Sequence, residues 1–401
     1  MFFQLTIAII AGIIAGIFTG LIPGLHVNLV SLIVVSLSSS FFLEINVFLL
    51  VVFIVSLALT HSFLDSIPSI FLGAPDESQV LSVLPGHRFL LQGLGYQAVF
   101  LTIVGSLTAL LLTFLVIPPG LILLSKTYII LKPIVPFLLI IVIIILLILS
   151  KKIILNTLFI MLSGILGLLV FSLPNQENIL LPLLTGLFGI STLLISFFGE
   201  MNSLPKQDTK KKIDVSISEL EKNSFRATIV GVLAAFLPGL GSSQSAIIAS
   251  ATMKKKTDKD YLLLVGGINT VNFAFSLITL FVIGKARNGA IVSVNTLLQD
   301  GLTSYHLKSL LLTLLIVGSV ASLLGLWISK KVSNIINKVN YKKLLLFIMS
   351  FLFLIVLFMT GPTGLLILFT ASALGLLANL VGAQKNMLLG VLLIPTIIFL
   401  L

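Results

Sequence analysis

The sequence predicts an all-α polytopic membrane protein with two inverted-topology repeats, each of about five transmembrane helices and two re-entrant or broken helix hairpins. Of its 401 residues, 58% are hydrophobic and only 9% are charged, whereas a soluble domain carries about 25% charged residues. The mean hydropathy is +1.23. With so few charges the chain cannot cover a surface in water, so its solvent must be lipid. A cytosolic enzyme, a nucleic-acid-binding domain and a secreted module are thereby excluded.

The spanning elements are predicted to be helices, because the long apolar runs do not alternate as barrel strands do. Most of these runs are long enough to cross about 30 Å of hydrocarbon at a rise of about 1.5 Å per residue. The predicted spans are 45–60, 95–118, 134–150, 153–173, 179–197, 262–283, 304–329, 344–360, 363–379 and 386–401.

An internal repeat is the most informative feature of the sequence. Gly16 precedes Leu-Ile-Pro-Gly-Leu at 21–25, and Gly231 precedes Phe-Leu-Pro-Gly-Leu at 236–240, an offset of 231 − 16 = 215. Two further matches follow in the same order: 103–106 with 316–319 at offset 213, and, more loosely, 81–83 with 292–294 at offset 211. Three matches at nearly one offset indicate two related halves. We therefore assign residues 1–198 to the first repeat, 199–223 to a cytoplasmic connector, and 224–401 to the second repeat.

Each half contains two stretches that are too short or too interrupted to be simple spans. Residues 5–42 are broken at Pro23-Gly24, and 224–253 at Pro238-Gly239. Proline removes a backbone donor and glycine weakens a helix, so both helices are expected to open there, and these four residues are the predicted hinges. The stretches 63–93 and 284–301 are punctuated by Gly, Pro and polar residues. Such breaks are tolerated at membrane depth only where protein or water shields the backbone.

The charge distribution predicts the topology. Residues 1–150 hold three Lys or Arg residues, and 151–401 hold the other 24 − 3 = 21. If the hairpins return to the side they entered, all basic loops lie on one face, which the positive-inside rule makes cytoplasmic. Both termini are then extracytoplasmic, in a multi-pass protein of the cell membrane. Five spans per half is an odd number, so the second repeat must be inverted relative to the first. The connector, with basic residues interspersed among acids, is expected to be a solvated link.

Polar residues follow each Pro-Gly break. A helix that restarts there presents free N–H groups and its positive dipole end inside the membrane, an arrangement that suits a carboxylate or phosphate. Proline kinks with small residues for helix packing are the alternative explanation. The candidate substrate-binding residues are His26 and Asn28 in the first half, and Ser242, Ser243, Gln244 and Ser245 in the second.

The second pair of hairpins carries ionisable residues of opposite sign in the two halves. Asp76 and Glu77 occupy the first, while Lys285 and Arg287 occupy the second. Ionisable groups at membrane depth are costly and usually pair or serve transport. We therefore expect Lys285 and Arg287 to attract an anion, which Arg can bind through two hydrogen bonds, and Asp76 and Glu77 to bind a coupling ion. Solvation of these loop tips in the headgroup layer is the alternative.

A further polar group lies at the end of the first apolar span. Asp65, close to His61 and Ser62, is expected opposite Asn269, Thr270 and Asn272 of the second half. These oxygen-bearing side chains could bind a coupling cation, or they could be interhelical hydrogen-bonding partners.

No enzyme chemistry is indicated. The chain contains no cysteine, its four histidines are far apart in sequence, and it has neither a Walker A run nor a nucleophile elbow. No cofactor is expected beyond Na⁺ or H⁺ as a coupling ion.

Several motifs resemble the large membrane subunit of tripartite tricarboxylate transporters, including its stand-alone archaeal-type relatives. The resemblance lies in the two Pro-Gly-Leu segments (22–28 and 237–245), in 71–97 with its Gly-Ala-Pro-Asp-Glu-Ser run and later Gln-Gly pair, and in 183–190. It implies a secondary carboxylate permease in the lipid bilayer. In this family such a permease usually works with a small membrane subunit and an extracytoplasmic binding protein.

The sequence therefore predicts a secondary active transporter for an anionic organic solute, a di- or tricarboxylate, by ion-coupled alternating access. A different class remains open at this point. A translocase of a polyprenyl phosphate or similar anionic lipid would use the same helix starts with Lys285 and Arg287 to meet a lipid phosphate.

Overall fold

The computed structural model describes residues 2–22, 27–38, 45–73, 83–148, 150, 152–173, 179–198, 205–211, 213–237, 241–251, 253, 257–299, 301–336 and 340–401. Within these ranges the ordered elements are helices and no strand occurs, which confirms the all-α class. In chain order the α-helices are α1 (Phe2–Leu21), α2 (Val27–Ser38), α3 (Val47–Leu64), α4 (Ser66–Phe71), α5 (Val83–Leu91), α6 (Gly95–Leu131), α7 (Val135–Ile148), α8 (Ile153–Phe171), α9 (Leu180–Leu184), α10 (Ser191–Phe198), α11 (Ile217–Phe236), α12 (Ser242–Ala251), α13 (Asp258–Ile283), α14 (Gly289–Leu297), α15 (Ser304–Ile336), α16 (Tyr341–Leu380) and α17 (Gly390–Leu400).

The helices have the lengths and surfaces of a multi-pass membrane protein. Eight of the described helices are long and apolar enough to cross a bilayer: Phe2–Leu21, Val47–Phe71, Gly95–Leu123, Ile153–Phe171, Leu180–Phe198, Asp258–Ile283, Ser304–Ile336 and Lys342–Leu380. Large apolar side chains such as Leu115, Ile154 and Phe358 stand exposed on the outer surface. In water such exposure would be costly, so these faces are in contact with lipid tails.

Helices α3 and α13 occupy the interior. Both are almost entirely buried, whereas α1 and α16 expose most of their surface. α1, α6 and α15 pack against α3, and α6, α11 and α15 pack against α13. Their sequences explain the placement, because α3 carries Ser, Thr and His, and α13 carries Asn, Thr and Gly where a lipid-facing helix would carry Leu or Ile. Polar groups at this depth have to find partners in protein.

The two halves repeat the same packing contact. A Cβ atom built on Gly16 of α1 would lie 2.6 Å from Thr60 Cβ and 2.7 Å from the Leu57 carbonyl of α3. A Cβ built on Gly231 of α11 would lie 2.7 Å from Val271 Cβ and 3.2 Å from the Ile268 carbonyl of α13. The contacted residues are themselves related by one offset, since 268 − 57 and 271 − 60 both equal 211. This equivalence supports the internal repeat, while the inverted orientation of the second half stays a prediction.

Helices α6 and α13 cross with almost no side chain between them. Gly105 of α6 faces the Leu263 carbonyl of α13, and Gly266 of α13 faces the Thr102 carbonyl of α6. A Cβ on Gly105 would lie only 2.9 Å from Leu263 Cα. Small residues that let backbones approach closely are the usual means of helix association in membranes.

The helices on either side of each Pro-Gly break are present. α1 ends at Leu21 and α2 begins at Val27, while α11 ends at Phe236 and α12 begins at Ser242. The four predicted hinge residues lie outside the described residues. α1 has 20 residues, so at about 30 Å it is long enough to span a membrane by itself, although residues 5–42 were expected to be too interrupted to form a simple span. In α11 only the part from Ala227 onward is free of charge.

Two long helices differ in how they respond to proline. α16 has 40 residues and breaks at Gly361, whose φ of 65° lies in the left-handed region that favours glycine, next to Pro362. This break separates the predicted spans 344–360 and 363–379. α6, by contrast, continues through Pro118 and Pro119 to Leu131, beyond the predicted end of the span at 118.

The connector is bound to the first half and is not merely a solvated link. The amide of buried Gln207 donates to the Leu90 carbonyl at 3.0 Å and accepts from the Gly95 N–H at 2.9 Å. Buried Gln97 of α6 in turn donates to the Lys211 carbonyl at 2.8 Å. α11 begins at Ile217, inside the segment expected to be connector, because Ser216 and Glu219 form a capping box.

We predict that both termini are extracytoplasmic and the connector is cytoplasmic. The chain has no cysteine, so a single cysteine can be introduced at exposed Gln4 or at exposed Lys210. In right-side-out vesicles a membrane-impermeant maleimide should label Gln4→Cys directly and Lys210→Cys only after permeabilisation. Labelling in the reverse order would contradict the predicted orientation.

We also predict that Gly105→Val destabilises the protein, because the added atoms meet the backbone of α13 and cannot be accommodated by a rotamer change. Overpacking of this kind costs about 1–3 kcal/mol or more. Thermal unfolding in detergent measures the loss. Leu111→Val, on the exposed face of the same helix, is the control and should leave the midpoint nearly unchanged. Equal midpoints for the two variants would show that the crossing is not tightly packed.

Candidate functional site

Asp65 lies at the junction of two helices in the interior of the protein. α3 ends at Leu64 and α4 begins at Ser66, while the Asp65 N–H still donates to the His61 carbonyl at 2.9 Å. Pro68 has no N–H to continue the helical ladder across this turn. The Asp65 side chain is 2% exposed, and of the acidic side chains in the described part of the chain it alone is buried. A buried carboxyl group must be met by donors or be neutral.

One donor to Asp65 comes from the other half of the chain. Asn269 Nδ2 donates to Asp65 Oδ2 at 2.8 Å. Asn269 lies close to the middle of the 26-residue helix α13, which is long and apolar enough to cross a bilayer. The structure therefore brings together Asp65 and Asn269, two of the residues expected to lie opposite each other. Their role in ion coupling stays a prediction.

The same amide connects to the start of α12. Ser242, the first residue of α12 and also buried, donates its hydroxyl to Asn269 Oδ1 at 3.4 Å. Its oxygen accepts from Asn272 Nδ2 at 3.0 Å. The helix that restarts after the second Pro-Gly break is thus joined by hydrogen bonds to the carboxyl group of Asp65. One predicted substrate-binding residue, Ser242, thus shares a hydrogen-bonded site with Asp65, Asn269 and Asn272 of the predicted coupling-ion group.

Two buried hydroxyls near this site are available to a ligand. Ser245, in the first turn of α12, and Thr270, next to Asn269, are both fully buried. Within the described part of the chain neither hydroxyl oxygen has a hydrogen-bond partner, although buried polar groups almost always have one. The free N–H groups of the α12 start add further donors. The side chains of Ser243 and Gln244 lie outside the described residues.

A second corner joins the first break to the hairpin ahead of α14. Asn28, in the first turn of α2, packs against Gly289, where a Cβ would lie 2.8 Å from Asn28 Nδ2 and still closer to its Cγ. Asn288 caps α14 by accepting from the Ile291 N–H at 3.0 Å. Arg287 directly precedes this cap and is half-buried, with Nε and Nη2 shielded from solvent, while Lys285 is exposed. This corner gathers Asn28 and the loop that carries Arg287.

Several predicted site residues cannot be placed. His26, Asp76 and Glu77 lie outside the described residues, as do Pro23, Gly24, Pro238 and Gly239. Lys285, Arg287 and Asn28 do not share a described hydrogen bond with the Asp65 site. α3 packs on α2, α13 and α14 and so links the two corners.

Some polar contacts were not anticipated. Ser66, at the start of α4, accepts a hydrogen bond from Thr102 of α6 at 3.0 Å, and His87 lies 3.2 Å from Ser196. Serine and threonine occur in most of the described helices, so nothing in the sequence singles these pairs out. Both pairs fix the short helices α4 and α5 around the site.

Comparison with known proteins gives a family match and one distant relative. The family described as "Tripartite tricarboxylate transporter TctA family" matches residues 6–390. An uncharacterized protein of Methanocaldococcus jannaschii is 32% identical over 365 residues, which cover 87% of this chain and 88% of the relative. No solved structure gives a significant match.

We predict that Asp65 and Asn269 are energetically coupled. In a double-mutant cycle with Asp65→Ala and Asn269→Ala, unfolding in detergent should give a coupling free energy of about 1.5–3 kcal/mol, the range for a buried hydrogen bond to a charged group. Asn223 and Asp260 provide a matched control cycle, since they are the same residue types 2.7 Å apart at the part-buried end of α11 and α13. Their coupling should be smaller, about 0.5–1 kcal/mol. Equal couplings would contradict the assignment of Asp65 to a dry interior.

Proposed function

The chain belongs to the tripartite tricarboxylate transporter TctA family, and from this premise we propose that it is a secondary active permease for an anionic organic solute, a di- or tricarboxylate. The observation that carries this proposal is the hydrogen-bonded path from the start of α12 to Asp65. A donor-rich helix start and a buried carboxyl group meet inside the protein. That combination suits an anion that travels with a cation.

The start of α12 is the proposed anion site. Its free N–H groups point toward the break, and the positive end of the helix dipole favours negative charge there. Ser242, Ser245 and Thr270 supply hydroxyl donors beside it, and Ser243 and Gln244 follow in the same first turn. A substrate with two or more carboxylates needs several donors, and this site offers backbone and side-chain donors together.

Arg287 is the proposed cationic partner of the substrate. Its guanidinium can bind a carboxylate through two parallel hydrogen bonds. Its loop is held against α2 by the close contact of Gly289 with Asn28, which links the first helix break to the second hairpin. His26 would add a donor next to Asn28, and Lys285 would attract the anion from the exposed side of the same loop.

Alternating access would act at the contacts between the halves. The helix breaks at Pro23-Gly24 and at Pro238-Gly239 are the proposed hinges, because each separates a longer helix from a short one that contacts the other half or lines the site. The coupling ion, Na⁺ or H⁺, would be bound among Asp65, Asn269, Thr270 and Asn272, with Asp76 and Glu77 as further candidates. Discontinuous helices at the site are typical of secondary transporters.

The family is named for a tripartite system. We propose that this permease works in the cell membrane, with a small membrane subunit and an extracytoplasmic binding protein as partners. The substrate would be delivered on the side where both termini lie.

We predict that proteoliposomes containing the protein accumulate labelled citrate or succinate under an imposed Na⁺ or H⁺ gradient. Arg287→Ala should lower the initial rate about tenfold, the effect of one lost charge-assisted hydrogen bond. Lys331→Ala is the control, since Lys331 lies at the exposed end of α15 over the Trp327 ring, and should stay within about twofold of the wild type.

Two results would count against a carboxylate carrier. If the vesicles take up no carboxylate, either with or without the partner subunits, the proposal is excluded for these substrates. Transfer of a fluorescent polyprenyl phosphate between leaflets in the same vesicles would indicate an anionic-lipid translocase.

A further inference from the structure

The three described hydrogen bonds that lead from Asn272 to Asp65 run in one direction. Asn272 donates to Ser242, Ser242 donates to Asn269, and Asn269 donates to Asp65. This series of hydrogen bonds ends on a carboxyl oxygen of Asp65. Because that oxygen is the strongest acceptor available, it fixes the direction in which each group before it donates. The one hydroxyl hydrogen of Ser242 is therefore donated to Asn269 and is not available to the proposed anion, although Ser242 stands at the helix start where that anion binds.

This pattern favours a proton over a sodium ion as the partner of Asp65. A hard cation binds through several oxygen lone pairs, and three oxygens of this series already face hydrogens: Ser242 Oγ faces the Asn272 amide, Asn269 Oδ1 faces the Ser242 hydroxyl, and Asp65 Oδ2 faces the Asn269 amide. A sodium ion bound at these three oxygens would compete with their donors. A proton adds to the carboxyl group without requiring a new coordination shell.

Protonation of Asp65 would reverse the direction of these hydrogen bonds. A neutral Asp65 carries an O–H that can donate to Asn269 Oδ1, so the Asn269 amide rotates and turns its Nδ2 toward Ser242. The amide oxygen and nitrogen are nearly equal in size, so the same heavy-atom positions serve both arrangements. Ser242 Oγ then accepts from both Asn269 and Asn272, which its two lone pairs allow. The Ser242 hydrogen is released.

We propose that Asp65 carries the coupling proton, and that its protonation frees the Ser242 hydroxyl to donate to the anion at the start of α12. The proposal rests on the proposed carboxylate transport and names its coupling ion. Protonation removes a negative charge near the anion and adds a donor to the anion's site, so both effects favour anion binding. By linkage the anion favours proton binding equally. One proton enters with the anion from one side, and both leave on the other.

Few other titratable groups face Asp65 from the described elements packed around it. His61 lies one turn before it on α3. Helices α1, α2, α4 and α14 carry none, α13 carries none from 262 to 283, α6 none from 97 to 125, and α15 none from 309 to 329. α5 contributes His87, which contacts Ser196, and Arg88, which pairs with Asp258 at 2.9 Å on the surface. Arg287 precedes α14.

We predict that anion binding depends on pH through Asp65. Binding of labelled citrate and succinate to the purified full chain is measured from about pH 5 to about pH 9, which covers the titration of buried carboxyl groups in proteins. The wild type should bind about tenfold more tightly at the acid end. Asp65→Asn should bind tightly over the whole pH range. The labelled anion protonates in the same way with either protein, so this variant also corrects for protonation of the substrate itself.

Ser242→Ala tests the link without touching Asp65. At the acid end it should bind more weakly than the wild type, because only the smaller affinity increase that comes from removing the Asp65 charge remains. Ser250→Ala on the same helix is the control, since that hydroxyl bonds only its own helix at the Ile247 carbonyl, and should reproduce the wild-type curve. Infrared difference spectra on acidification should show a carboxylic-acid C=O band in the wild type and in Ser242→Ala that is absent in Asp65→Asn.

The outcomes separate this inference from the proposed function. Wild-type counterflow of labelled citrate or succinate without any gradient establishes transport by itself. Suppose that counterflow is present but anion binding has the same pH dependence in the wild type and in Asp65→Asn. The proton site is then elsewhere and this inference is overturned. Accumulation of substrate by Asp65→Asn under a proton gradient would overturn it as well. Absence of counterflow and binding for both anions overturns the proposed function and this inference with it.

Discussion

A carboxyl group in hydrocarbon cannot be solvated, and this constraint organises the centre of the molecule. Asp65 lies buried in a chain whose solvent is lipid, so its donor has to come from protein. Asn269 supplies that donor from the middle of α13. For the two residues to meet, α3 and α13 must lie side by side, and their other polar residues are then sheltered as well. The remaining helices surround this pair and present apolar faces to lipid.

The polar contact requires close packing, and glycine provides it. Gly105 and Gly266 allow the backbones of α6 and α13 to touch, while Gly16 and Gly231 do the same for α1 on α3 and for α11 on α13. Between helices in a membrane there is no hydrophobic driving force, since lipid tails are as apolar as leucine, so dense packing has to hold them together. The glycines that reveal the repeat in the sequence are therefore also the residues that build the interior.

The sequence was sufficient for the fold class and for most span positions, because hydropathy over about 20 residues and Pro-Gly breaks are local signals. It also indicated that Asp65 and Asn269 lie opposite each other, from their positions along equivalent helices. It did not reveal that Ser242 joins them, nor that Gln207 anchors the connector beneath α5 and α6. Such contacts depend on which helix faces lie together, and a single sequence with common Ser, Asn and Gln residues does not encode that locally.

The two halves share a framework, but the residues that meet at the Asp65 site have counterparts of other types in the other half. At the offset of 211 that relates α3 to α13, Asp65 corresponds to Ser276, and Asn269 to Ala58. At the offset of 215 for the helices after the breaks, Ser242 corresponds to Val27. The related position in the other half therefore does not combine an acid, an amide and a hydroxyl as the Asp65 site does. Two facing carboxyl groups near the midplane would repel each other and would need two cations. With the acid in one half and its amide donor in the other, the hydrogen bond from Asn269 to Asp65 crosses between the halves. A single ion at Asp65 would therefore act at the interface along which the halves would move.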